Sequence, residues 1–172
     1  MDWRAQCAAV IPCLNEASMI GSVVPAVHDH LPTVIVVDDG SSDDTAALAH
    51  NAGAEVLRVP STAGKGAALQ TGWRYAHARG FSWALTLDGD GQHAPDEIPK
   101  FFRAAEHTSA ALVVGNRMAE AAAMPWVRRA VNRRMSRWLS AAAGQPLPDS
   151  QCGFRLMDLG VWASLPITSA HF

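Results

Sequence analysis

The sequence is short of cysteine, of tyrosine and of any long apolar run. Cys7, Cys13 and Cys152 are its only cysteines. Their number is odd and none stands in a C-x-x-C pair, which excludes a disulfide framework and leaves reduced, buried thiols as the expectation. No stretch approaches the roughly 18 apolar residues of a membrane-spanning helix. The opening MDWRAQCAAVIPC lacks the basic start and apolar core of a secretory leader, so a cytoplasmic chain is expected. Internal repeats are missing too, and the clearest local bias is alanine, at 119–123 and 141–143. Charge of either sign is not in excess: 14 Lys and Arg stand against 16 Asp and Glu. A net charge of −2 excludes non-specific nucleic-acid binding as the main role.

The familiar nucleotide loops are also wanting. No G-x-G-x-x-G follows the first strand-like run, which argues against a dinucleotide site. STAGKGAAL contains GKG, but a P-loop needs Ser or Thr after the lysine, where Gly66 stands.

What is there is one domain's worth of chain. Its 172 residues are 49% apolar and 17% charged, enough to bury roughly two-thirds of the unfolded surface. Strands are expected at Ala8–Leu14, Thr33–Asp38, Ala54–Val59, Trp83–Asp88 and Ala111–Gly115, with a final one at Gly153–Met157. Helices are expected at Glu16–His30, Ala46–Asn51, Lys65–Arg79, Pro95–Ala105 and about Pro125–Ala143. TVIVVD is an unbroken apolar run, as in parallel strands covered on both faces. Ser42, Asp43 and Asp44 favour a helix start, and Gly80 a helix end. This alternation implies a doubly wound, mostly parallel α/β sheet. Ligands of such sheets bind beyond the carboxyl ends of the strands.

Three strands end in polar clusters: PCLNE (Pro12–Glu16), VVDDGSSDD (Val36–Asp44) and LDGDGQH (Leu87–His93). Each alone reads as turn chemistry and helix capping. Together they converge on one sheet edge and imply a shared site. Asp88 and Asp90 would repel each other unless something positive lies between them. Hard oxygen donors of this kind suit Mg²⁺ or Mn²⁺ bound with a diphosphate. His93 is either a further ligand or a structural histidine. Lys65, at a helix start between glycines, is either a phosphate contact or an ordinary exposed lysine.

The succession IPCLNE, VVDDGSSDDT, GKGAALQTG, LDGDGQHAP, GNR and DSQCGFRL resembles the inverting family 2 glycosyltransferases, in the branch of dolichol-phosphate mannose synthase and related polyprenyl-phosphate enzymes. The motifs run in family order from about Ala8 to Met157. The resemblance implies a GT-A (Rossmann-like) fold, a UDP- or GDP-linked sugar donor, and a Mg²⁺ or Mn²⁺ ion. It implies donor contacts at Pro12, Leu14, Asn15, Glu16, Asp38, Asp39, Lys65 and Asp88. Leu14 occupies a place often held by an aromatic residue. The metal side corresponds to Asp88, Asp90 and Gln92, and the reacting centre to Asp90 with Arg117 and Arg128.

An anionic lipid-phosphate acceptor would need no strong base, and Arg117 and Arg128 would orient it. A hydroxyl acceptor, soluble or polysaccharide, would need a carboxylate to take its proton, with Asp149 the candidate. A non-catalytic nucleotide-sugar module is the remaining alternative. Family members usually continue past ITSAHF, so a single catalytic domain over 1–172, shortened at its end, is expected. The stretch WVRRAVNRRMSRWL holds five arginines and no acidic residue. Val127, Val131, Met135, Trp138 and Leu139 share a helical stripe. Such a helix either packs that stripe on the sheet or lies on anionic lipid at the inner face of the membrane.

Overall fold

The computed structural model describes residues 1–117 and 126–166, Val127 and Arg128 for backbone only. Among the described residues six strands form one sheet in the order β3-β2-β1-β4-β6-β5. β1 (Cys7–Cys13) and β2 (Val34–Asp38) are buried along their whole length. β3 (Glu55–Arg58) pairs beside β2, and β4 (Trp83–Thr86) beside β1, all in parallel. β6 (Arg155–Asp158) runs antiparallel between β4 and β5 (Leu112–Val114). The sheet is therefore mostly parallel, as expected from sequence. β6 runs against its neighbours, a direction that no local pattern in its sequence sets.

Helices cover both faces. Successive residues of β1 alternate between two cores, because side chains in a strand point to opposite faces. Ala9 and Ile11 join Ile20, Val24, Val27, Ile98 and Phe101 beneath α2 (Ile20–His28) and α5 (Ile98–Thr108). Ala8 and Val10 join Ile35, Val37, Leu69, Trp73 and Leu159 beneath α4 (Lys65–Ala78) and α7 (Leu159–Ser164). Each fully buried aliphatic side chain contributes about 1.5–3 kcal/mol. Gly72 lets α4 close on the sheet: a Cβ there would lie 2.4 Å from Cγ1 of Val10.

Several boundaries differ from expectation. α1 (Trp3–Gln6) and α7 are short helices with too few turns to show a period. α2 starts at Ile20 rather than Glu16, since the preceding residues bond to the β2 loop instead of to a helix. α3 (Thr45–Asn51) is close to its expected span. β4 leaves its ladder after Thr86, which frees Leu87 and Asp88 for the loop. α6 (Trp126–Ala143) is continuous, and Pro125, its expected first residue, lies outside the described residues, as do 119–123 and the terminal ITSAHF. Among the described residues no helix is long and apolar enough to cross a membrane.

Candidate functional site

The loops after β1 and β2 are sewn together by their own polar groups. Asn15 adopts a left-handed backbone, φ 57°. Its N–H donates to Oγ of Ser41 at 2.9 Å, and its Oδ1 accepts from the N–H of Ser42 at 2.9 Å. The N–H of Glu16 donates to Oγ1 of Thr45 at 2.8 Å. Asp38, fully buried, accepts from the Ser41 N–H at 3.0 Å and from Nε of Arg58 at 3.1 Å. Both oxygens of Asp39 accept backbone N–H groups, those of Ala63 and Gly64, each at 2.8 Å. Asp39 thus fixes the turn that launches α4 and delivers Lys65 to the site.

Lys65 Nζ donates to Oδ1 of Asp88 at 2.5 Å, and Nε2 of His93 lies 3.5 Å from Oδ2. His93 is nearly buried, its ring 5.2 Å from that of Phe154. Burial alone would push Asp88 up, but hydrogen bonds from His93 and Lys65 outweigh it and hold the carboxyl well below its ordinary value. On the other side Gly153 touches the same carboxylate: a Cβ there would lie 2.7 Å from Oδ2. Asp90 Oδ1 accepts the N–H of Gln92 at 3.0 Å, closing the turn.

These parts surround a cleft of about 230 Å³ at the carboxyl ends of β1, β2 and β4. Of the residues expected on the donor and metal side, Pro12, Leu14, Glu16, Asp39, Lys65, Asp88 and Asp90 line it. Asn15, Asp38 and Gln92 are not on its wall, and the first two hold the loops by the bonds above. The cleft's field is negative. Glu16 is raised, first by burial and then by Asp90, Asp88 and Asp43. The Cys13 thiol is pushed up to about 12 by burial and by Glu16, Asp38, Asp88 and Asp43. Among the described residues no group of three or more His, Cys, Asp or Glu is placed to hold a metal ion by itself, and Asp88 and Asp90 offer hard oxygen donors of the kind a divalent cation shares with an anionic ligand.

Arg117 and Asp149 form a second constellation. The backbone N–H of Arg117 donates to Oδ2 of Asp149 at 3.1 Å, its Nε to the same oxygen at 3.0 Å and its Nη2 to Oδ1 at 3.3 Å. Asn132 Nδ2, from α6, donates to Oδ1 at 2.8 Å. Burial raises Asp149, but Arg117 and Asn132 win and lower it. A carboxyl held this way is a poor proton acceptor, so Asp149 anchors a loop and orients Arg117. Sequence reasoning missed Asn132, Ser136 and Ser140, small polar residues at i, i+4 and i+8 that mark the inward face of α6. The structure leaves Val131, Met135 and Trp138 exposed, so that part of the apolar stripe does not pack on the sheet. The Arg128 side chain lies outside the described residues.

The chain is similar to known proteins in sequence and in fold. The description Glycosyl transferase family 2 matches residues 8–161. The chain is 32% identical over 157 residues to the polyprenol monophosphomannose synthase of Mycolicibacterium smegmatis, an alignment covering 85% of this chain and 59% of that protein. It is 32% identical over 167 residues to the UDP-N-acetylglucosamine–dolichyl-phosphate N-acetylglucosaminyltransferase of Methanococcus voltae, covering 85% and 66% respectively. Glucosyl-3-phosphoglycerate synthase from Mycobacterium tuberculosis, crystallised with Mn²⁺, uridine-diphosphate-glucose and glycerol 3-phosphate, superposes with a TM-score of 0.71 at 25% identity, over 94% of this chain and 60% of that one. The chain spans about six-tenths of the length of the first and third of these proteins and 66% of the second.

Proposed function

The chain belongs to glycosyl transferase family 2, and from that footing we propose that it transfers a sugar, with inversion, from a UDP- or GDP-linked donor to a polyprenyl phosphate at a membrane surface. The observation that carries the proposal is the cleft in which Glu16, Asp39, Asp88 and Asp90 face Lys65. One relative is named for a dolichyl phosphate and another for a polyprenol monophosphomannose, and both names support the acceptor class.

Asp88 and Asp90, with Gln92 on the same turn, would hold Mg²⁺ or Mn²⁺, which supplies charge neutralisation to the leaving diphosphate. Pro12, Leu14 and Glu16 form the wall for the nucleoside, beside Asp39. Lys65 contributes a positive charge next to Asp88, where negative charge develops as the diphosphate departs. An oxygen of the acceptor phosphate attacks the anomeric carbon as the bond to the diphosphate oxygen breaks, and a single displacement inverts that centre. The acceptor is already an anion, so the chain need supply no strong base. Arg117, clamped on one edge by Asp149, presents the rest of its guanidinium to the acceptor phosphate, with Arg128 as second contact. The engagement of Asp149 disfavours a hydroxyl acceptor that would rely on it for proton removal.

The test measures nucleoside diphosphate release and lipid-linked sugar. Purified chain is incubated with Mn²⁺ or Mg²⁺, a set of UDP and GDP sugars, and a short polyprenyl phosphate. Cation-dependent product with one donor is expected. Binding of a nucleotide sugar without turnover would replace the enzyme by a binding module, and turnover with a hydroxyl acceptor alone would replace the acceptor.

A further inference from the structure

Both oxygens of Asp88 face groups of the chain itself. Oδ1 accepts Nζ of Lys65 at 2.5 Å. Oδ2 lies 3.5 Å from Nε2 of His93, and Gly153 closes the same side so tightly that a methyl group there would be 2.7 Å away. His93 and Gly153 are fixed parts of the wall, since the histidine side chain is only 6% exposed and packs on the ring of Phe154. Lys65 is different. Its backbone is anchored, because Asp39 holds the turn before α4 through the N–H groups of Ala63 and Gly64, but its side chain is 51% exposed. Lysine is a compact charge on a flexible four-carbon stem, and this one borders open space twice. It lines the cleft, and it lines a second cavity of about 170 Å³ with Trp73, Gln151 and Arg155.

A divalent cation shared by Asp88 and Asp90 needs an oxygen of Asp88. The one not walled by His93 and Gly153 is Oδ1, which the ammonium holds. Two cations on one carboxylate oxygen repel, and the repulsion is strong away from bulk water. The ammonium has to leave Oδ1 and needs another anion to go to. Asp39 already accepts two backbone N–H groups. The second cavity is a poor refuge, since Arg155 lines it. A diphosphate in the cleft has the right charge and shares the space that Lys65 already lines.

We infer that Lys65 couples the two ligands of the cleft: its ammonium competes with the divalent cation for Asp88 and passes to the diphosphate of the incoming nucleotide, so that cation and nucleoside diphosphate are taken up as a pair. The inference rests on the nucleotide-sugar reading of the cleft and deepens it by giving the cation site a built-in competitor. Two carboxylates suit such sharing, because small divalent ions commonly complete their shell with substrate phosphate oxygens. The coupling is reciprocal. The diphosphate raises the affinity for the cation by the same factor as the cation raises that for the diphosphate.

The experiment reads Mn²⁺ binding by electron paramagnetic resonance with no sugar and no acceptor present, so its outcome is independent of the transfer reaction. The probes are Mn²⁺ alone and Mn²⁺ with UDP or GDP, each against a protein-free blank. In the parent chain the affinity for Mn²⁺ is expected to rise when one of the diphosphates is added, by roughly 5–150-fold as for a typical coupled pair of sites. Lys65→Met should bind Mn²⁺ alone about tenfold more tightly than the parent and lose most of that rise. Lys65→Arg keeps the charge and should behave as the parent. Arg74→Met removes a charge from the exposed side of the same helix and should change neither value. Thermal melting checks folding, and Lys65→Gln repeats the test with a second neutral side chain. Unchanged or weaker binding of Mn²⁺ alone by the neutral variants overturns the inference, as does a rise that they keep in full. An equal gain in Arg74→Met overturns it by assigning the effect to net charge, and so does a parent chain that binds no Mn²⁺ with either diphosphate.

Discussion

Gly153 and Asp88 are in contact across the site: a methyl group on Gly153 would lie 2.7 and 2.8 Å from the two carboxylate oxygens of Asp88. The backbone of Gly153 lies outside the left-handed region, so the requirement for glycine is one of space alone. Gly153→Ala is expected to push the carboxylate off Lys65 and His93 and to lower cation-dependent transfer by about tenfold or more, the cost of a misplacement near 1 Å. Transfer rate at saturating donor, with thermal melting as the folding control, checks it.

Asp90→Asn keeps the shape of the turn and removes one charge from the cleft. The expected result is loss of cation-dependent product by roughly two orders of magnitude with little change in melting temperature. Full activity in this variant, measured as nucleoside diphosphate release, would sink the metal assignment.

The Lys65–Asp88 pair gives a pH signature. Asp88 has a folded pKa depressed below its ordinary value of 3.8, so its contribution to stability is complete above that pH and is lost as pH falls below it. Lys65→Met removes part of the depression. Acid unfolding of the variant, followed by circular dichroism, should begin roughly a few tenths of a pH unit higher than in the parent, a modest shift because half of the lysine side chain is in solvent.

Asp149 is buried and receives four N–H groups, three from Arg117 and one from Asn132. Asp149→Ala leaves them without an acceptor and should cost about 2–4 kcal/mol in urea unfolding. Asn132→Ala removes one donor to Asp149 and the acceptor of the Ser136 hydroxyl, both neutral groups, and should cost less. Equal losses would show that the two are not joined through one carboxylate.

Gly72→Ala drives a methyl group to 2.4 Å from Val10 and 3.0 Å from Val37. Overpacking of this kind costs about 1–3 kcal/mol. Val10→Ala in the same chain should recover part of the loss, read as a coupling energy in a double-mutant cycle.

What the sequence made legible was whatever has a short-range cause. The strands β1 and β2 announce themselves as apolar runs, and the three polar clusters at strand ends do converge. Asp88, Asp90, Lys65 and Glu16 stand together as their positions at those ends imply. The loop-tying bonds of Asn15, Asp38 and Asp39 were not legible, because a carboxylate or amide that ties two loops has the same composition as one that meets a ligand. The contact of Gly153 with Asp88 depends on the antiparallel return of β6, which no local period encodes. The face of α6 was left open between the sheet and a lipid surface for a similar reason. A stripe of Val, Met and Trp normally faces the core, and only the tertiary demand of Asp149 for donors turns Asn132 and Ser136 inward.

The N–H of Gly115 bonds to the carbonyl of Phe154 at 2.9 Å, where β5 ends and its neighbour β6 begins. The stretch from 116 to 153 is therefore an excursion whose two ends are already pinned in adjacent strands. Lengthening or replacing such an excursion adds little closure entropy, since that cost grows only with the logarithm of its length. Arg117, α6 and Asp149 all belong to it, whereas the wall of the cleft outside Asp88's neighbour Gly153 comes from the chain before it. The sheet and its cleft are thus a chassis and residues 116–153 an exchangeable cassette, and grafting a different cassette between Gly115 and Phe154 is a route to a new acceptor on the proposed donor platform.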